Sequence, residues 1–155
     1  MSDDTVRLGF VCVQNAGRSQ MSTAFAEREV ERRGLGDRVE IVTGGTRPAD
    51  AVHDEVVETM RELDVDLSDR TPREVSTAEL DACDVVATMG CSTLSLDADV
   101  DVRDWDLTDP DGKPPVEVRE IRDEVQRRVQ ALFDERFGER SQRTPSGRSR
   151  SRRPR

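Results

Sequence analysis

A cysteine and an arginine stand six residues apart at the point where an apolar strand gives way to a helix. Val6 to Val13 is apolar and predicts a strand. Ser19 to Arg33 predicts an amphipathic helix, with Met21, Ala24, Phe25 and Val30 at near-helical spacing. Between them runs Cys12-Val13-Gln14-Asn15-Ala16-Gly17-Arg18-Ser19. A short strand-to-helix turn points backbone N–H groups inward, and the helix N-terminus adds positive potential. That field binds a tetrahedral oxyanion. It also stabilises a thiolate, which makes Cys12 a candidate nucleophile near neutral pH. Arg18 is suited to hold two oxygens of the anion bidentately. The plainer reading is a buried cysteine at a strand end beside a surface arginine. The asparagine, the glycine and the strand–loop–helix setting weigh against it.

The rest of the chain alternates in the same way. Val39–Thr43 predicts a second strand, followed by the turn Gly44-Gly45-Thr46-Arg47-Pro48. Asp50–Leu63 predicts a helix with Val52, Val56, Val57, Met60 and Leu63 on its apolar face, and Ser76–Leu80 a short helix capped by Ser76 or Thr77. Asp84–Met89 and Val100–Trp105 predict the third and fourth strands, and Val116–Phe137 the last helix. Ser19 is a candidate N-cap of the first helix, and Gly34–Gly36 its stop. Such alternation implies a parallel sheet wrapped by helices, with ligands at the carboxyl ends of the strands. Three segments fall at those ends: the Cys12 loop, Cys91 and the loop around Asp109.

Composition limits the possibilities further. At 155 residues, one domain is expected over 1–140, followed by a basic, disordered tail over 141–155. The tail holds six of the 24 basic residues, which leaves 18 against 33 acids, a net charge of −15, in the remainder. Lys113 is the one lysine. So acidic a body suits a salt-rich cytoplasm, where ions screen self-repulsion, and argues against nucleic acid as a partner except through the tail. No 18-residue apolar run exists, so no membrane span is expected. The cysteines are Cys12, Cys83 and Cys91. An odd number without metal-ligand spacing, alongside the single His53, points to reactive thiols in a reducing compartment rather than to a disulfide scaffold or a zinc site.

These motifs resemble the low-molecular-weight protein tyrosine phosphatase superfamily, and most closely its thioredoxin-linked arsenate reductase branch. The resemblance is carried by Cys12 to Ser19 with Gln20-Met21, by Thr43 to Pro48, by Asp66-Leu67-Ser68 with Pro72, by Asp84 to Cys91, by Asp106 to Pro110 and by Val118 to Glu124. It implies a flavodoxin-like three-layer sandwich with a four-stranded parallel sheet. Cys12 would attack the central atom of the oxyanion held by residues Val13, Gln14, Asn15, Ala16, Gly17, Arg18 and Ser19. Arg18 would stabilise the transition-state charge, and Asp109 would protonate the leaving oxygen. Ser19 would hydrogen-bond the thiolate and Asn15 hold the loop's shape. No cofactor is implied.

Two activities share that site. A phosphatase hydrolyses a cysteinyl-phosphate with water. A reductase delivers a second thiol and releases arsenite, leaving oxidised sulfur. Thr88-Met89-Gly90-Cys91 resembles the resolving-cysteine segment, which favours arsenate reduction, with a thioredoxin-like protein or a small thiol as reductant. The branch's third cysteine is missing, since Ser92, Thr93, Leu94 and Ser95 follow, and Cys83 reads as a packing residue. The chain has no tyrosine and only five aromatic residues, so little is available to stack a phosphotyrosine ring except Trp105. Hydrolysis of phosphate esters is the alternative. A non-enzymatic oxyanion or redox sensor fits less well, because binding alone needs neither nucleophile nor acid.

Overall fold

A computed structural model describes residues 5–89 and 100–138. Cys91 and the tail therefore lie outside the described residues. The elements run β1 (Val6–Cys12), α1 (Arg18–Arg33), β2 (Val39–Gly45), α2 (Asp54–Arg61), α3 (Thr77–Asp81), β3 (Val85–Met89), β4 (Asp101–Asp104) and α4 (Pro115–Phe137). The four strands form one sheet of order β2-β1-β3-β4 with every pairing parallel. This is the flavodoxin-like α/β arrangement. The central strands are the most apolar because both their faces are covered. All of β3 is buried, as are the last five residues of β1.

The alternating side chains of β1 divide the core in two. Leu8, Phe10 and Cys12 share the larger cluster with Met21 and Phe25 of α1, Val56 and Met60 of α2, and Val125, Val129 and Phe133 of α4. Val11 faces the other way and meets Val75, Leu80 of α3 and Val86. Gly9 lies on that second face, where a Cβ would come 3.2 Å from Cys83 Sγ. Burying both sets at about 25 cal/mol per Å² of apolar surface is the main force that holds the layers on the sheet. Trp105 is a core residue, its ring 6.0 Å from Phe10. Among the described residues no helix is long and apolar enough to cross a membrane.

Several element boundaries differ from expectation for one reason. α2 begins at Asp54 rather than Asp50, because residues 46–53 spend their backbone groups elsewhere. Thr46, Arg47, Ala49 and His53 donate their N–H groups to the carbonyls of Cys12, Val13, Gln14 and Ala16. β2 extends to Gly45, two residues past its expected end, and runs beside β1 as far as Cys12. α3 is capped by Ser76, which accepts from the Glu79 N–H while the Glu79 carboxylate accepts from the Ser76 N–H. Gly34 ends α1 in the left-handed conformation, at φ 68°.

Gly45 is the tightest position in this arrangement. A Cβ there would lie 2.5 Å from Val13 O and 3.0 Å from Asn15 N. Gly45→Ala is therefore expected to destabilise the domain by about 1–3 kcal/mol and to weaken phosphate binding. Gly36→Ala, where a Cβ meets nothing within 4 Å, is expected to do neither. Urea midpoints and phosphate titration calorimetry on both variants check this.

Candidate active site

Six consecutive carbonyls, from Cys12 to Gly17, each accept a hydrogen bond from outside the turn. Cys12 O, Val13 O, Gln14 O and Ala16 O are held by the N–H groups of Thr46, Arg47, Ala49 and His53, at 3.2, 2.8, 3.0 and 3.0 Å. Asn15 O takes Gln20 Nε2 at 3.2 Å, and Gly17 O takes the Met21 N–H at 2.9 Å. With the carbonyls held outward, the N–H groups of Gln14, Ala16 and Gly17 find no protein acceptor among the described residues. The turn ends at the N-terminus of α1, whose first N–H groups are also free of helical partners. Such a cradle of N–H groups has the geometry and potential to hold a tetrahedral oxyanion.

Cys12 sits at its base. The sulfur takes the Asn15 N–H at 3.2 Å and faces Ser19 Oγ at 2.9 Å. The direction of the second bond follows from its neighbours. The Arg73 N–H and Gln20 Nε2 both donate to Asn15 Oδ1, each at 3.1 Å. Asn15 Nδ2 is thereby turned toward Ser19 Oγ at 2.7 Å and Thr43 Oγ1 at 3.1 Å. Ser19 already accepts from Asn15, so its proton goes to the sulfur. Two donors thus converge on one sulfur. Asn15 itself is fully buried at φ 52°, a left-handed conformation that asparagine tolerates better than most residues. Ser19 is not the helix cap: Gly17 stands there without a side-chain bond. The serine hydroxyl is committed to Cys12.

Arg18 is buried, and its Nη1 donates to Leu107 O at 3.0 Å. Its Nη2 lies 3.7 Å from Asp109 Oδ2. The other carboxylate oxygen, Oδ1, accepts the Asp111 N–H at 3.0 Å. The loop that carries Asp109 is fastened at two further points. The Gly112 N–H donates to Glu55 Oε2 at 2.9 Å, and Pro110 packs so close to Gly17 that a Cβ there would sit 2.9 Å from Pro110 Cγ. Glycine at position 17 is what lets the two loops meet. The result is a cavity of about 300 Å³ lined by Cys12, Val13, Gln14, Gly17, Arg18, His53 and Asp109.

The structure thus brings Cys12, Arg18 and Asp109 together, with Asn15, Ala16 and Ser19 buried behind the cavity wall. Cys91 falls outside the described residues. Cys83 precedes β3 at the opposite end of the sheet from Cys12. It is buried, and burial pushes its thiol up to about 11. Trp105 does not line the cavity. Sequence reasoning missed His53, Thr43, Gln20 and Arg73 as parts of the site. Their contacts reach across 28 to 58 residues, or, for Gln20, run back from α1 to Asn15 in the preceding turn. No periodicity signals them.

Residues 7–143 match the family described as low molecular weight phosphotyrosine protein phosphatase. The chain belongs to that family. Matched solved structures include phosphatases and arsenate reductases. A Halobacterium salinarum protein named "Putative arsenate reductase" is 71% identical over 86% of this chain and 95% of its own length. A Synechocystis protein named glutaredoxin arsenate reductase is 32% identical over 80% of this chain and 93% of its own. The solved structure of a Corynebacterium glutamicum thioredoxin-dependent arsenate reductase superposes with a TM-score of 0.72 at 29% identity. It covers 87% of this chain, which spans 63% of that longer protein.

Two expectations follow for this member of the phosphatase family. Ser19→Ala removes one donor from the sulfur and should slow alkylation of Cys12 by iodoacetamide at neutral pH by about tenfold, the loss expected for a hydrogen bond to a charged group. Peptide mapping of the modified protein measures this. The buried Cys83 thiol contributes stability that is fully present below the ordinary thiol value and is lost as pH rises toward about 11. The wild-type melting temperature should fall across that window, and Cys83→Ala should flatten the fall.

Proposed function

We propose that this protein is an arsenate reductase that uses Cys12 as nucleophile and a second thiol, Cys91, to complete the reduction. The observation that carries this reading is the convergence of two donors on Cys12 Sγ at the base of a cradle that also holds Arg18 and Asp109. The 71% identity to a protein with that name supports it.

The steps balance as follows. The Cys12 thiolate attacks As(V) of arsenate, and an As–O bond breaks. Asp109, as the acid, gives its proton to the departing oxygen, which leaves as water. Arg18 and the N–H cradle stabilise the added charge on the remaining oxygens. The Cys91 thiolate then attacks Cys12 Sγ. A disulfide forms, the S–As electron pair passes to arsenic, and As(III) is released as arsenite. Two electrons and two protons from two external thiol groups, which leave as a disulfide, restore both cysteines. A thioredoxin-like protein or a small thiol supplies them. The acidic composition and the likeness to a Halobacterium protein support a salt-rich cytoplasm as the setting.

Ester hydrolysis shares the first step and the family. It is less favoured here because, among the described residues, no Phe, Tyr or Trp lines the cavity. A phosphotyrosine ring would find the amide of Gln14 and the imidazole of His53 instead.

Reduced protein mixed with arsenate in high salt, without external reductant, separates the two readings. One arsenite per chain and a Cys12–Cys91 disulfide, mapped by mass spectrometry, are expected. Cys12→Ser should abolish product. Cys91→Ser should abolish self-contained reduction while leaving any hydrolysis of p-nitrophenyl phosphate intact. Three free thiols and no arsenite from the wild-type protein would reject the internal resolving thiol.

A further inference from the structure

The wall of the cavity beside Gly17 carries a pair that the reaction above does not use. His53 Nε2 lies 3.1 Å from Gln14 Oε1, and both side chains line the cavity. With the amide oxygen as acceptor, the ring nitrogen donates. That holds for the cationic ring and for the neutral tautomer protonated on Nε2. The bond turns the Gln14 oxygen toward His53 and leaves its N–H₂ group with no acceptor among the described residues. His53 is itself held rigidly. Its N–H bonds Ala16 O, and its carbonyl accepts from Val56 and Val57 in the first turn of α2. The ring lies alongside Gly17, with Cδ2 3.7 Å from where a Cβ would stand.

We infer that Gln14 and His53 form a specificity pair for the free, unesterified oxyanion, the imidazole orienting the amide so that its N–H₂ meets the oxygen facing the cavity mouth. This rests on the reading of the cavity as an oxyanion site. The N–H cradle and Arg18 accommodate the oxygens directed into the loop. The remaining oxygen faces the wall made by Gln14, His53 and Asp109. On free arsenate or phosphate it carries full acceptor character. In a monoester it bears a carbon substituent and accepts only weakly. An amide donor aimed there favours the free anion, because unpaired donors are penalised when the acceptor is weak.

Orthophosphate, an anion of the same shape as arsenate that does not oxidise the thiol, is the probe. Calorimetry on the full-length protein in high salt is expected to show about tenfold weaker binding for Gln14→Ala and for His53→Ala. The double variant should be no weaker than the worse single, because the two act as one unit. His53→Gln, which places an amide N–H near the Nε2 position, should restore affinity to within about threefold. If truncation unfolds the loop, Gln14→Glu keeps the bond to His53 but presents a carboxylate, and should lose binding at unchanged stability. With Cys12→Ser to prevent turnover, adding Gln14→Ala should change phenyl phosphate affinity less than about threefold. In arsenate reduction, the singles should raise KM with kcat nearly unchanged. Unchanged orthophosphate affinity in either alanine variant, multiplicative losses in the double, or an equal loss for phenyl phosphate would overturn the pair. Wild-type protein that binds orthophosphate but yields no arsenite would reject the reductase reading alone.

Discussion

The site depends on the outward anchoring of six carbonyls, from Cys12 to Gly17. A turn that aims its N–H groups at an anion must aim its carbonyls into the protein, and each buried carbonyl without a donor costs about 1–3 kcal/mol. Leaving several unpaired would approach the whole net stability of a domain, about 5–15 kcal/mol. The chain meets this requirement chiefly with the backbone of residues 46–53, which forgoes helix formation to supply four of the donors. Gly45 and Gly17 then allow the approach of the neighbouring segments that this geometry demands. The cradle is thus a property of the β1–α1 and β2–α2 connections together.

Behind the cradle, a directional series of hydrogen bonds sets the chemistry. Arg73 and Gln20 fix the Asn15 amide, Asn15 fixes the Ser19 hydroxyl, and Ser19 donates to Cys12. The roles of Asn15 and Ser19 are fixed, because the Asn15 oxygen already accepts two hydrogen bonds and the Ser19 oxygen accepts from Asn15. The arrangement has a cost. Gln20 Oε1 is buried with no partner among the described residues, while its Nε2 serves both the loop backbone and the Asn15 side chain. A buried unsatisfied oxygen is tolerated where the opposite end of the same amide holds a functional group in place.

Much of this was legible in the amino-acid order, and the illegible part has a common character. The alternation of apolar strands and amphipathic helices led to a four-stranded parallel sheet, and the α4 residues Val118, Ile121, Val125, Val129, Leu132 and Phe133 are all buried as their spacing required. Cys12, Arg18 and Asp109, which the residue pattern and the family resemblance single out, meet in one cavity. Ser19 was legible in identity but ambiguous in role. The same hydroxyl serves equally well as a helix cap in one dimension, and only its distance to the sulfur decides. Trp105 was a candidate ring-stacking residue and proved to be core against Phe10.

The sequence by itself determined the elements, their order, the cysteine at a strand-to-helix turn and the family. These are local properties: periodicity within a window, and residue types at short spacing. Tertiary structure alone decided which way the hydrogen bonds run and what lines the cavity. His53 reaches Gln14 across 39 residues, and Arg73 reaches Asn15 across 58. Such contacts arise where the carboxyl ends of parallel strands converge. Their partners are chosen by the folding of the sheet, which leaves no mark in the spacing of the residues themselves.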